Sequence, residues 1–366
     1  MKGKELSPSQ ITAMVALPRI TIMMMFMPSI TRGNALHDGW LAALISVGAG
    51  LILAALAAGL AARFPDDGFG HFSKVVLGRL LGAVAALLLA SFYYLLVIMW
   101  VRQLSILVVS VILERTPGWV VGLSMLVAGL YGAFLGPGPL GRAAVVLMLL
   151  VGLSVVVGLT SLHGSGAMDF SYLKPVLARG WRPVMVAAVS PTFWFATTAS
   201  TSLVLTRFCT RPQEVPRAVL KGTLISGLVL VLLVAAAIST FGPRKAAEQL
   251  SPVHSMARTV FLMGIMERVD IVLFTIWIVA IAFDLALFLF ATATVVGDAL
   301  GVRWRSVLGF LGAGIAAVAS LQVLDVFTLG TLLSIPATAM VMATVHVGLV
   351  GIVFLVAAIR RQGERT

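Results

Sequence analysis

The stretch MVALPRITIMMMFMPSI, Met14 to Ile30, decides how this chain is read. It is an apolar run that carries a proline, Pro18, followed at once by an arginine, Arg19. Proline removes a backbone donor and crowds the preceding helical turn. A charge at the bilayer centre costs about 3 kcal/mol on insertion scales. A span holding both faults near its midpoint is expected to lapse there, around Leu17 to Thr21, and to face protein or water instead of lipid.

The rest of the sequence makes that run one of many. Of 366 residues, 60% are hydrophobic and 11% charged, and the mean hydropathy is +1.07. A soluble domain is about a quarter charged, so this chain has too little polar surface to cover a globule. Apolar windows long enough to cross about 30 Å of hydrocarbon recur over 9–31, 39–61, 81–111, 117–136, 142–162, 183–206, 217–241, 270–298, 305–321 and 328–358. The expected class is an all-α polytopic membrane protein of about ten spans; a β-barrel would show short alternating strands. The connection 242–269 repeats Val253, Met256, Ala257, Val260, Phe261 and Gly264 at helical spacing, which reads as a surface helix or as a cap over the bundle.

The net charge of +12 is spread through the loops between apolar runs. No basic run or aromatic platform accompanies it, so no nucleic-acid partner is expected. Basic residues are more numerous on the side that holds both termini, which predicts both termini in the cytoplasm. The N-terminal MKGKELSPSQ is short and polar, so the first span is expected to be retained in the membrane. The single Cys209 excludes an intrachain disulfide, and neither a metal nor a cofactor is called for. HExxH, GxSxG and P-loop patterns are missing, so the chain is not read as an enzyme.

A second fault matches the first. Five spans on, PVMVAAVSPTFWFATTASTSLVL is interrupted at Ser190-Pro191. Interrupted helices at corresponding places in two halves point to a transporter-like inverted repeat with its site at the break. The expected ligand-binding residues are Pro18, Arg19, Thr21, Ile22 and Met23 in span one, with Ser190, Thr192, Phe193 and Trp194 in span six. Asp284 lies mid-span in IWIVAIAFDLALFLF, and a facing Arg19–Asp284 pair would offset the cost of both charges. The alternative is that Arg19 holds a ligand carboxylate and Asp284 titrates as a proton site. Arg102 sits close enough to a span end to snorkel. His346 reads as a hydrogen-bonded packing residue, and the Thr197 to Ser202 run as back-bonded hydroxyls or small-residue packing.

Several elements together resemble the spore-germination permease family, the B subunits of nutrient germinant receptors. They are PSQITAMVAL, Gly39-Trp40, RFPDDGFGHFSKVVLGRLLG, GPGPLGRAAVV, FSYLKPVLARGWRPVM and GIMERVDIVLFTIWI, in order from about Ser7 to about Ile359. The resemblance implies membership of the amino acid–polyamine–organocation superfamily. It implies one permease-like domain over 1–366, with a LeuT-like 5+5 inverted repeat of about 9–162 and 183–358 and broken helices one and six. It implies a germinant-sensing subunit that binds a small nutrient such as an amino acid beside A and C subunits in the inner spore membrane or cell membrane. A proton-coupled, sodium-independent amino-acid permease and an ion-channel component of the germination complex are the alternatives. Two departures bear on the site: LPRITIMMM lacks the glycines usual in the first break, and SPTFWFATTAS lacks an acidic residue near the second.

Overall fold

The computed structural model describes residues 4–32, 35–111, 113, 115–249, 252–259, 269–312, 314 and 336–360. The long helices are α1 (Pro8–Arg32), α2 (Gly39–Arg63), α4 (Arg79–Val111), α5 (Gly118–Leu135), α6 (Pro137–Gly164), α7 (Trp181–Ala199), α9 (Val215–Phe241), α12 (Val269–Leu300) and α14 (Pro336–Ile359). Short helices fill the connections: α3 (Phe69–Leu77), α8 (Ser202–Leu205), α10 (Pro243–Glu248) and α11 (Pro252–Thr259). A helix over 304–312, α13, begins the ninth expected span, and 315–335 lies outside the described residues. Among the described residues, six helices are long and apolar enough to cross a membrane by length and composition. The connection 242–269 is helical where described, as α10 and α11, and 260–268 lies outside the described residues.

The inward face of α2 is made mostly of small side chains. Its buried positions are Gly39, Ala42, Ala43, Ser46, Gly50, Ala54, Ala57, Ala58 and Ala61 with the larger Val47 and Leu60, while Leu44 and Ile52 are exposed. In α6 the exposed stripe is Val146, Leu149, Leu153 and Val156. Both stripes recur every three or four residues, the helical repeat. Lipid is as apolar as leucine, so helices associate where small residues let backbones approach, and large aliphatics face outward. Gly222 of α9 is such a contact: a Cβ there would lie 2.7 Å from the Thr12 carbonyl oxygen of α1.

The central position belongs to α1, which packs on α9, α7, α6 and α12. Its residues Ala13 to Ile22 are buried throughout. At the near end of the bundle, Glu5 and Leu6 donate their amides to the Phe208 carbonyl, both at 2.9 Å, and Thr210 donates to Leu6 at 2.8 Å. Arg207 donates through one guanidinium nitrogen to both carboxylate oxygens of Asp298, at 3.0 and 2.8 Å. Lys74 of α3 caps the last carbonyls of α12, donating to Asp298 O at 3.2 Å and Ala299 O at 2.5 Å. A lysine there also complements the negative end of the helix dipole. At the far end, Asp38 accepts from the Leu177 amide at 2.8 Å.

Candidate functional site

Neither expected break is where the prolines stand. α1 is continuous through Pro18, and α7 is continuous through Pro191. Each proline forfeits one ladder bond, to the carbonyl four residues back, Met14 O for Pro18 and Ala187 O for Pro191, and the helix runs on at either side. The nearby hydroxyls bond other carbonyls: Thr21 donates toward Pro18 O at 2.9 Å and Leu17 O at 3.2 Å, and Thr192 donates to Ala188 O at 2.8 Å. The sixth span is instead interrupted at Ser200-Thr201, between α7 and α8. There the bonding tightens: Ser200 still donates to Ala196, but Leu203 donates back to Ser200 at 2.9 Å.

That interruption places the C-terminal end of α7 beside Arg19. The guanidinium Nη2 of Arg19 donates to the Phe195 carbonyl at 3.0 Å, and its carbon lies 5.3 Å from the Phe195 ring centroid. Arg19 is wholly buried. A helix C-terminus carries partial negative charge, and a guanidinium is attracted to an aromatic face. Both features favour a cation at this spot. Gly50 of α2 fixes the other side of Phe195, since a Cβ there would lie 2.6 Å from the Phe195 Cβ.

The Arg19–Asp284 pair does not form. Among the described residues no contact within 4.0 Å joins the two, and the carboxylate of Asp284 instead meets the Thr21 hydroxyl. The cause is helical phase. Residues two apart on an α-helix point about 200° away from each other, so Arg19 faces α7 while Thr21 faces α12. Thr21 and Asp284 are both wholly buried, and Asp284 Oδ1 has no hydrogen-bond partner among the described residues. The result is a cation and a carboxyl on opposite sides of one helix, offset along its axis by about 3 Å.

The other expected residues surround this crossing unevenly. Ile22 is buried beside Thr21, and the Met23 side chain lies outside the described residues. On α7, Trp194 is buried next to Phe195, whereas Ser190, Thr192 and Phe193 are half-buried nearer the far end. Sequence reasoning missed Phe195, Ser200 and Tyr93. The Tyr93 hydroxyl of α4 lies 2.8 Å from Ser200 Oγ at the interruption, and its ring stacks on Phe288, one turn beyond Asp284. His346 of α14 packs on Phe92, with centroids 4.5 Å apart, and on Tyr93 at 6.2 Å. It is buried as a packing residue, but neither ring nitrogen has a hydrogen-bond partner among the described residues. Arg102 is half-buried toward the end of α4. Among the described residues no group of three or more His, Cys, Asp or Glu could hold a metal ion.

Comparisons with known proteins bear on both fold and family. The crystal structure of MhsT in complex with L-phenylalanine superposes with a TM-score of 0.62 over 98% of this chain and 90% of that one, at 17% identity. That likeness establishes the fold, which is the LeuT type. Spore germination protein YndE of Bacillus subtilis strain 168 is 26% identical over 255 residues, 68% of each chain. Spore germination protein KB of the same organism is 25% identical over 294 residues, covering 80% of this chain and 78% of its own length. The family described as Spore germination protein (Spore_permease) matches residues 5–325, nearly the whole length, and the chain belongs to that family.

Proposed function

We propose that this chain is the nutrient-sensing membrane subunit of a spore germination receptor. In this reading it binds a small zwitterion, an amino acid first, beside Arg19, where α1 meets α7. The observation that carries the reading is the wholly buried Arg19 guanidinium at the interrupted end of α7, held there by the Phe195 carbonyl and ring. Its planar fork suits a ligand carboxylate. Asp284 meets Thr21 on the opposite face of α1, a helix about 10 Å across with its side chains, and is out of reach of the same small ligand's ammonium. In the proposal Pro18, Thr21 and Ile22 contribute from α1 and Trp194 from α7, with Ser190, Thr192 and Phe193 toward the far end. The L-phenylalanine in the MhsT crystal structure supports an amino acid as the first class to test. Partnership with A and C subunits, and cytoplasmic termini, extend the same proposal from the family and from the basic loops.

A second reading, a proton-coupled and sodium-independent amino-acid permease, is favoured by the buried carboxyl oxygen of Asp284 that lacks a partner among the described residues. Flux of labelled amino acids into proteoliposomes of the purified chain separates the two. Sensing predicts saturable binding with uptake no faster than in protein-free liposomes. Uptake driven by an imposed proton gradient would favour the permease.

A further inference from the structure

The far end of the bundle holds a cavity that the central site does not use. It lies between α6, α9, α11 and the first turns of α12, and Gly158, Leu159, Leu233, Met256, Phe274 and Trp277 are among its lining residues. Trp277 precedes Asp284 by seven residues on α12, so the cavity sits about 10 Å along the axis from the carboxyl. Its volume is about 80 Å³. An enclosed apolar cavity of about 150 Å³ holds a benzene ring, so the enclosed part here takes a group of a few carbon atoms.

The lining chemistry narrows the occupant. No Asp, Glu, Lys or Arg lines the cavity among the described residues, and an unpaired charge placed there would be costly. The Ser154 hydroxyl is already committed to Val151 O at 2.7 Å. His254 of α11 stands edge-on to Phe274, with centroids 5.3 Å apart, and Phe274 leans on Trp277 at 5.6 Å. This aromatic wall ends in a donor: the Trp277 indole nitrogen is buried and has no acceptor among the described residues. A buried donor without a partner costs about 1–3 kcal/mol, which an occupant supplying one acceptor would recover.

We propose that this cavity is a second ligand site, for a small neutral molecule with a short apolar body and one hydrogen-bond acceptor such as a ketone or ester oxygen. A zwitterion is excluded here for the reason it is favoured centrally, so the two sites take different chemical classes. Because α11 rests on α12, α9, α6 and α1, an occupant bridges it to three long helices. It thereby ties α11 to the bundle without touching Arg19 or Asp284.

The probe is 3-pentanone, measured by saturation-transfer NMR on the full chain in nanodiscs, with empty nanodiscs subtracted. Saturable binding is expected. Gly158→Leu fills the space, since a Cβ at Gly158 meets no atom within 4 Å, and should weaken binding at least tenfold. Trp277→Phe keeps the aromatic wall, deletes the donor and should weaken binding three- to tenfold. That conservative change keeps the test decisive if the leucine variant folds poorly. A signal no greater than in empty nanodiscs, or native-like binding by both variants, overturns the proposal. So does the lipid outcome: no ketone signal, with brominated-acyl lipid quenching a fluorescence component present in the native chain and lost in Trp277→Phe. The cavity would then belong to an acyl chain.

Discussion

Replacing Thr21 by valine deletes one hydroxyl at nearly constant volume, so the effect is read without a cavity. In the native chain that hydroxyl meets one oxygen of Asp284, and the other oxygen has no partner among the described residues. The substitution leaves a wholly buried carboxyl with no partner described, and losing one side of a buried hydrogen bond costs about 1–3 kcal/mol. Thr21→Val should therefore destabilise by about 2 kcal/mol. Asp284→Leu is gentler on its partner, because Thr21 keeps the carbonyls of Leu17 and Pro18. With both changed, no polar group is stranded, and the double variant should lie about 1–2 kcal/mol above the sum of the singles. The assay is an unfolding equilibrium in mixed micelles, followed by tryptophan fluorescence for all four proteins. A cycle that closes within about 0.3 kcal/mol would refute the contact. The companion swap, Arg19→Asp with Asp284→Arg, should rescue neither single change, since no pair exists to restore.

Four further outcomes follow from named contacts. Arg19→Lys keeps the charge but loses the planar group over Phe195, and should cost about 1 kcal/mol in the same unfolding assay. Gly222→Ala drives a methyl into the Thr12 carbonyl, which cannot yield as a side chain would, and should lower stability by about 1–3 kcal/mol. Cys209 is buried beneath the clasp made by Leu6, and burial pushes its thiol up; maleimide labelling at neutral pH should be slow and should rise at least tenfold in Leu6→Asp. Asp169 is held below the usual carboxylate range by hydrogen bonds from Ser171. Its contribution is present above the unfolded value of about 4 and is lost as pH falls through the lower folded value, so Ser171 amide protection should decline only in that acid window.

Span boundaries were legible because apolar run length is a one-dimensional property. The expected 39–61 and 217–241 lie within two residues of α2 (Gly39–Arg63) and α9 (Val215–Phe241). Arg19 and Asp284 were also legible, since a charge amid apolar turns stands out whatever it touches. Their relation was not, because it depends on which faces of α1 meet α7 and α12. The two-residue step from Arg19 to Thr21 was available and already argued against one partner serving both faces. Prolines misled the placement of the breaks, because one lost ladder bond is a local fault and the helices continue through Pro18 and Pro191. The real interruption lies in the Ser/Thr run, where Tyr93 from α4 reaches Ser200, a contact between residues 107 apart. No local pattern carries such a contact, and Ser91, Tyr94, Ser105 and Ser110 share the apolar run of α4 with Tyr93, so its hydroxyl did not stand out. The helix α3 falls between the expected spans 39–61 and 81–111 and, at nine residues, is too short to be one. Its buried Phe69, Phe72 and Val76 at helical spacing were the signal for it.

Equilibrium binding of labelled amino acids to the purified chain in nanodiscs, beside Arg19→Gln and Asp284→Asn, tests the central claim most directly. The account predicts saturable binding of at least one L-amino acid, weakened tenfold or more by Arg19→Gln and much less by Asp284→Asn, whose carboxyl lies on the other face of α1. It also predicts that the decarboxylated amine binds the native chain and Arg19→Gln alike. Native-like amino-acid affinity in Arg19→Gln would contradict the site beside Arg19.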